Sequence, residues 1–205
     1  MGGTLDEKNC LNNLDDESLV DRCLSGEKEA CDKLCVRYVK EIFRMSYRFL
    51  YFPQLSKEEN LENAKDATQT IFQKVLENIK NFRKKSRFKT WLYRIAINCL
   101  KEIRKKIEDE LKKRGKLTEE GGKINHIITP SLNDKLIDEE EKMCIRKAIA
   151  TLPDKYKILL ILRFYEDKSY KEMAEIFNIP EGTVKSRLNR AIEKLKEELK
   201  KCHCI

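Results

Sequence analysis

Histidine is almost missing from this chain. His126 and His203 are the only two in 205 residues. A site built on histidine general acids, bases or metal ligands is therefore not expected. No HExxH, P-loop, nucleophile elbow or dinucleotide-binding fingerprint occurs either, which argues against an enzyme. Eight cysteines are present, but none is spaced CxxC, so the paired spacing of a closed zinc site is lacking. The N-terminal stretch has neither the basic nor the apolar segment of a secretory signal, and reduced thiols are the default expectation. No apolar run approaches the ~20 residues of a membrane span. Glycine (7) and proline (4) are scarce, and period-2 apolar alternation is absent. An all-α chain is expected, soluble and cytoplasmic.

Positive charge is plentiful and uneven. The net charge is +8, with charged residues making up 38% of the chain. Residues 80–106 alone hold 11 basic side chains and one acidic, a net of +10. Residues 1–79 are net acidic, and 181–201 form a second basic stretch. Such clusters cost self-repulsion unless a counter-charge is near, so two contacts with a polyanion are expected.

Apolar positions recur at helical spacing along most of the chain. One stripe joins Ala67, Ile71, Phe72, Val75, Leu76 and Ile79. A second joins Phe88, Trp91, Leu92, Ile95, Ala96, Cys99, Leu100 and Ile103. Further helices are expected near 16–24, 28–51, 136–150, 154–165, 169–178 and 182–200. The period is lost around 114–134, which holds Gly115, Gly121, Gly122 and Pro130 and reads as a flexible linker. Two small helical domains result, 15–106 and 138–201. A tail of residues 1–14 precedes them, a connection of 107–137 lies between them, and a short tail of 202–205 follows.

The sharpest local pattern is Ser169 to Lys200. Ser169 and Glu172 have capping-box spacing. Asn178 tolerates a left-handed turn, and Pro180 suits a helix start. The second helix buries Val184, Leu188, Ala191, Ile192, Leu195 and Leu199. This is the pattern of a helix-turn-helix, whose second helix enters the major groove N-terminus first. Thr183, Lys185, Ser186, Asn189 and Arg190 then face the groove, while Arg187 is placed for a phosphate. In 80–106 the loop Asn81–Arg87 is basic. The helix after it turns Thr90, Arg94, Asn98, Lys101, Arg104 and Lys105 away from its apolar stripe. Phe82, Trp91 and Tyr93 stand among these cations, a combination that suits an unpaired strand. The stripe position of Trp91 favours core packing, with only its edge left for a base.

In these motifs the chain resembles a bacterial RNA polymerase sigma factor of the extracytoplasmic-function (ECF) type. The matching words are Asp66-Ala67-Thr68-Gln69-Thr70-Ile71-Phe72 and Phe88-Lys89-Thr90-Trp91-Leu92-Tyr93-Arg94-Ile95-Ala96-Ile97-Asn98. Leu152-Pro153, Ser169–Ala174 and Ile179–Ala191 complete the match, in the family's order and spacing. The resemblance implies that 15–106 is the domain that binds core polymerase and melts the −10 element. Asp66, Gln69, Phe72 and Gln73 would dock on the β′ clamp helices. Asn81, Phe82, Arg83, Lys84, Lys85, Arg87, Lys89, Tyr93, Arg94, Asn98, Lys101 and Arg104 would open the −10 element and hold a flipped base. Residues 138–201 would read the −35 element through the helix-turn-helix, with the β flap as a second polymerase contact.

The implied partners are core RNA polymerase, promoter DNA and an anti-sigma factor, with no membrane. No cofactor and no catalytic residue is expected. Two features depart from the family: Cys31 stands at a position often aromatic, and Tyr51–Ala64 is long. The tail Cys202-His203-Cys204 is a weak candidate for metal or redox sensing. A one-component helix-turn-helix regulator, acting without polymerase, is the main alternative; it would leave 66–72 and 80–106 idle. An anti-sigma or adaptor protein would leave both basic stretches unexplained.

Overall fold

The computed structural model describes residues 14–115 and 134–201, with the side chains of 134–142 excepted. Every regular element among them is helical. The order is α1 (Asp16–Leu24), α2 (Lys28–Phe49), α3 (Lys57–Asn78), a 3-10 turn (Ile79–Asn81), α4 (Phe88–Lys113), α5 (Asp134–Thr151), α6 (Asp154–Phe164), α7 (Tyr170–Phe177) and α8 (Glu181–Lys201). No helix among the described residues is long and apolar enough to cross a membrane.

The first helical region is α1 to α4. The Asp15 carboxylate caps α1 by accepting from the Ser18 N–H at 2.8 Å. Gly26, at φ 97°, turns the chain into α2. Leu34, Ile42, Met45 and Phe49 of α2 are buried against Ala67, Ile71 and Val75 of α3 and Leu92, Ala96 and Leu100 of α4. The sequence pattern predicts α3 from about residue 67, but it starts ten residues earlier. Ser56 and Glu59 form a capping box there. The reason for the long 51–64 segment is Asn60, which is 1% exposed. Its amide accepts from the Phe52 N–H and donates to the carbonyls of Phe52, Leu55 and Ser56 at 2.8–3.2 Å. A loop that would otherwise bury unpaired backbone groups is satisfied by one side chain.

The second region is α5 to α8. α8 lays Val184, Leu188 and Ala191 against α6 and α7, where Ile158, Leu162 and Met173 are buried. The two regions also pack on each other, α6 against α2 and α7 against α4. Helix α4 runs through Lys113, seven residues into the expected connection, and α5 starts at Asp134.

Cys23, Cys31 and Cys144 depart from the expected reduced state, each being disulfide-bonded. Cys23 ends α1, Cys31 begins α2, and the short turn brings their Cα atoms to 4.8 Å, where they form a disulfide. Cys35 is a half-buried free thiol, pushed up to about 11 by burial and by Asp32.

Candidate nucleic-acid interface

The surface of α7 and α8 is built from its caps. Ser169 Oγ accepts from the Glu172 N–H at 3.2 Å, and the Glu172 carboxylate accepts from the Ser169 N–H at 2.8 Å. That backbone bond holds the Glu172 carboxyl below the usual range. Asn178 closes α7 at φ 52° and ψ 49°, its N–H meeting the carbonyls of Ala174 and Glu175. The Pro180 carbonyl then receives the N–H groups of Thr183 and Val184 at 2.9 and 3.2 Å, starting α8. With Val184, Leu188 and Ala191 inward, Lys185, Ser186, Arg187, Asn189 and Arg190 are exposed and Thr183 is half-buried. Ser186 donates to the Thr183 carbonyl at 3.1 Å. Among the described residues no ion pair engages Lys185, Arg187 or Arg190. Their charges stand unneutralised on the exposed side of α8.

The 80–106 block divides into three groups. Arg83, Lys85, Arg87 and Lys101 are exposed, as are Asn81 and Asn98. Lys84, at φ 53°, is tied to Asp21 of α1. Lys80, Lys105 and Lys106 are exposed as well, whereas Lys89, Arg94 and Arg104 turn inward. Lys89 pairs with Glu41 at 3.0 Å. Arg94 donates to the carbonyls of Glu175 and Ile176, which end α7. Arg104 is 5% exposed. It donates to the carbonyls of Phe49 (2.9 Å) and Ala150 (3.4 Å), and its Nε lies 2.9 Å from both Glu108 and Asp154.

Phe82, Tyr93 and Arg104 therefore do not present the nucleic-acid surface expected of them. Phe82 packs 5.1 Å from Trp91 and 5.9 Å from Phe88. Tyr93 is fully buried and donates to Glu41. Thr90, expected on the outer face, is buried too. The physical reason is that α4 is covered on two sides, by its own region and by α6 and α7. Burial raises the Glu41 carboxyl, but bonds from Tyr93, Lys89 and Lys168 outweigh it and hold the group below its ordinary value.

Trp91 is half-buried and borders a concavity of about 300 Å³ between α3 and α4. The other walls are Lys74, Asn78, Asn81, Ile95, Asn98, Cys99 and Glu102. One aromatic, three amides and an ion pair meet beside the basic loop. On the outer face of α3, Asp66, Gln69 and Gln73 are exposed and Phe72 is half-buried. Leu76, 41% exposed, lies near them.

Two family models match the chain: Sigma-70 region 2 over residues 34–111 and Sigma-70, region 4 over residues 142–195. The ECF RNA polymerase sigma factor SigW of Bacillus subtilis is 32% identical, covering 85% of this chain and 91% of its own length. The ECF RNA polymerase sigma-E factor of Haemophilus influenzae is 32% identical over 91% of this chain and 96% of its own. The chain belongs to the ECF RNA polymerase sigma factors. Among solved structures, CnrH in complex with the cytosolic domain of CnrY shares the fold. Its TM-score is 0.61 at 17% identity, covering 90% of this chain and 97% of that one. The sigma factor RpoE bound to the anti-sigma factor NepR, from Bartonella quintana, gives 0.53 at 24% identity, covering 80% and 93%.

This sigma factor is not an enzyme; it directs core RNA polymerase to promoters. The geometry adds site residues that sequence reasoning missed: Lys74, Asn78 and Glu102, which complete the concavity. A signal existed. Lys74 and Asn78 are one turn apart on the side of α3 that faces α4, where Asn98 and Glu102 are likewise one turn apart. The tail residues Cys202, His203 and Cys204 lie outside the described residues, as does most of the expected connection.

Proposed function

We propose that α7 and α8 form a helix-turn-helix that reads the −35 duplex, and that the 80–87 loop and the Trp91 concavity open the −10 element. The carrying observation is the concavity itself. A pocket of about 300 Å³ with an aromatic edge and three amides, next to the exposed loop cations Arg83, Lys85 and Arg87, has room for one unstacked base. Arg83, Lys85 and Arg87 would hold the backbone while the base enters beside Trp91. On α8, Lys185 and Arg190 suit guanine acceptors, Asn189 suits adenine, and Arg187 suits a phosphate.

Asp66, Gln69, Phe72 and Gln73 form the polymerase-docking patch on α3, for the β′ clamp helices; the second region would meet the β flap. An anti-sigma factor is a further partner, since the similar folds of CnrH and RpoE are solved bound to such chains. One surface that suits it is an apolar groove of about 350 Å³ between Tyr47 and Ile149, flanked by Arg44, Arg48 and Arg146. The setting of all this is the cytoplasm, where promoter and polymerase meet.

In vitro transcription with purified core polymerase on genomic fragments tests the assignment. Discrete start sites that require this protein, each preceded by two common elements, are the expected result. Mobility shifts of duplex DNA without new starts would favour a one-component regulator instead.

A further inference from the structure

The concavity beside Trp91 has a chemically lopsided wall. Lys74 of α3 and Glu102 of α4 reach across it and bond at 2.7 Å. That bond holds the Glu102 carboxyl below its ordinary range and raises the Lys74 ammonium. Both groups are therefore charged at neutral pH. A carboxylate can only accept. Its Oε2 accepts a hydrogen bond from the Lys74 ammonium, which leaves Oε1 to accept from a guest. Asn78 sharpens the bias, because its amide nitrogen donates to the Lys74 carbonyl at 2.8 Å. Its Oδ1, a second acceptor, is left over. Lys74 has two further N–H donors beside these acceptors.

Such a wall matches a base that carries an amine next to a ring acceptor or carbonyl. Cytosine offers N4–H₂ to Glu102 while N3 or O2 accepts from Lys74. Adenine offers N6–H₂ and N1 in the same way. Guanine offers N1–H and N2–H₂ to the carboxylate and O6 to the lysine. Thymine has no amine. Its N3–H and O4 could meet Glu102 and Lys74 as guanine N1–H and O6 do, but O2 then faces the carboxylate where guanine carries the N2–H₂ donor, and acceptor meets acceptor.

We propose that Glu102, held by Lys74, is a specificity-determining residue: the concavity accepts an unpaired base with an exocyclic amine and rejects thymine. This rests on the reading of the concavity as the site of base capture. A carboxylate accepting from a base amine is an established recognition pairing, and discrimination of about tenfold falls within the range of one such contact.

The test uses holoenzyme, full-length protein with core polymerase, on promoters in which each −10 position of the non-template strand carries each base in turn. Single-round transcript yield is compared within each protein, so that only base ratios are read. The wild type is expected to show one position where thymine gives about tenfold less transcript than the amine-bearing bases. In Glu102→Gln that penalty falls to about twofold, because the new amide both donates and accepts. Glu102 is 62% exposed at the side chain, so the variant keeps the fold, which a melting curve verifies.

An undiminished thymine penalty in Glu102→Gln, with base ratios that shift in Asn98→Ala, overturns the specificity assignment and leaves base capture standing. Ratios that shift in neither variant overturn both. Absence of any thymine penalty in the wild type also overturns the proposal.

Discussion

Replacing Lys157 by methionine is expected to stabilise this protein at low pH and not at high pH. Lys157 has no exposed surface. It lies where the second helical region meets α2, with its ammonium 5.7 Å from the centre of the Phe49 ring. Burial first, and Arg104 second, push its pKa from 10.5 down to about 7, against the pull of Asp154 and Glu108. The drop corresponds to roughly 5 kcal/mol at about 1.36 kcal/mol per pH unit. Below pH 7 the lysine is protonated in both folded and unfolded chains, and the cost is present in full. Between about 7 and 10.5 the folded chain has released a proton that the unfolded chain retains, so stability rises with pH. Above 10.5 the cost is gone.

The variant loses one hydrogen bond, from Lys157 Nζ to the Ala150 carbonyl at 3.0 Å, worth about 1 kcal/mol. The carbonyl keeps a partner in Arg104, and Asp154 keeps the same arginine. A methionine side chain fills similar space against Phe49. The net expectation is a gain on the order of 3–4 kcal/mol at pH 6 that shrinks to near zero by pH 10. Urea titrations of both proteins across that range measure it. A difference that stays constant with pH, or a variant less stable at pH 6, would refute a depressed Lys157 and the dry contact inferred around it.

Four further substitutions probe the other surfaces. Ser169→Ala removes the capping box of α7 and is expected to cost about 1 kcal/mol in thermal or urea unfolding. Lys185→Ala and Arg190→Ala are expected to weaken initiation at −35-dependent promoters by about tenfold each, with core polymerase binding intact by co-purification. Loss of polymerase binding instead would move α8 from the DNA to the polymerase. Trp91→Ala is expected to lower stability on the order of 2–3 kcal/mol, through its contacts with Phe82 and Phe88, and to impair promoter opening. Normal stability would mean that the aromatic cluster is not formed.

Periodicity was informative wherever one face of a helix is buried. The bounds of α1, α6 and α8 follow within a residue or two, and the left-handed Asn178 follows from its residue type. What periodicity cannot carry is a second burial. On α4 the stripe through Leu92, Ala96 and Leu100 marks the face toward α2 and α3. Nothing in a 3.6-residue repeat says that Tyr93 and Arg104, on another side, are covered by a different part of the chain. Polar residues read as solvated when their partners are distant in sequence: Glu41 for Tyr93, Asp154 for Arg104. Asn60 is the same case at short range. An asparagine in an acidic stretch reads as surface, yet it is the plug of the 51–56 loop. The capping box at Ser56 and Glu59 was visible, and the start of α3 was legible from it.

The two proposed DNA-reading surfaces share side chains where α7 packs on α4. Lys89 and Arg94 belong to the basic block, yet here Lys89 is held by Glu41 and Arg94 by the last carbonyls of α7. Those carbonyls are the negative end of α7, and a guanidinium there is favoured by both charge and hydrogen bonding. Hydrogen bonds from a charged donor contribute about 1.5–3 kcal/mol each when formed in place of water. A promoter phosphate that claims Arg94 must match that. Glu41 couples the lysines in turn, since Lys89 and Lys168 share its Oε1 at 3.0 Å each. Drawing α7 away removes Lys168 and leaves Glu41 to Lys89 and Tyr93 alone. Contact of Arg94 with DNA and packing of α7 on α4 are thus exclusive uses of the same atoms. The exposed cations Arg83, Lys85, Arg87 and Lys101 carry no such conflict, and the Trp91 concavity lies on the α3 side of α4, clear of α7. Under the proposed assignment, first contact with the −10 strand is made by the loop and the concavity in the packed form, and Arg94 engages only when α7 separates.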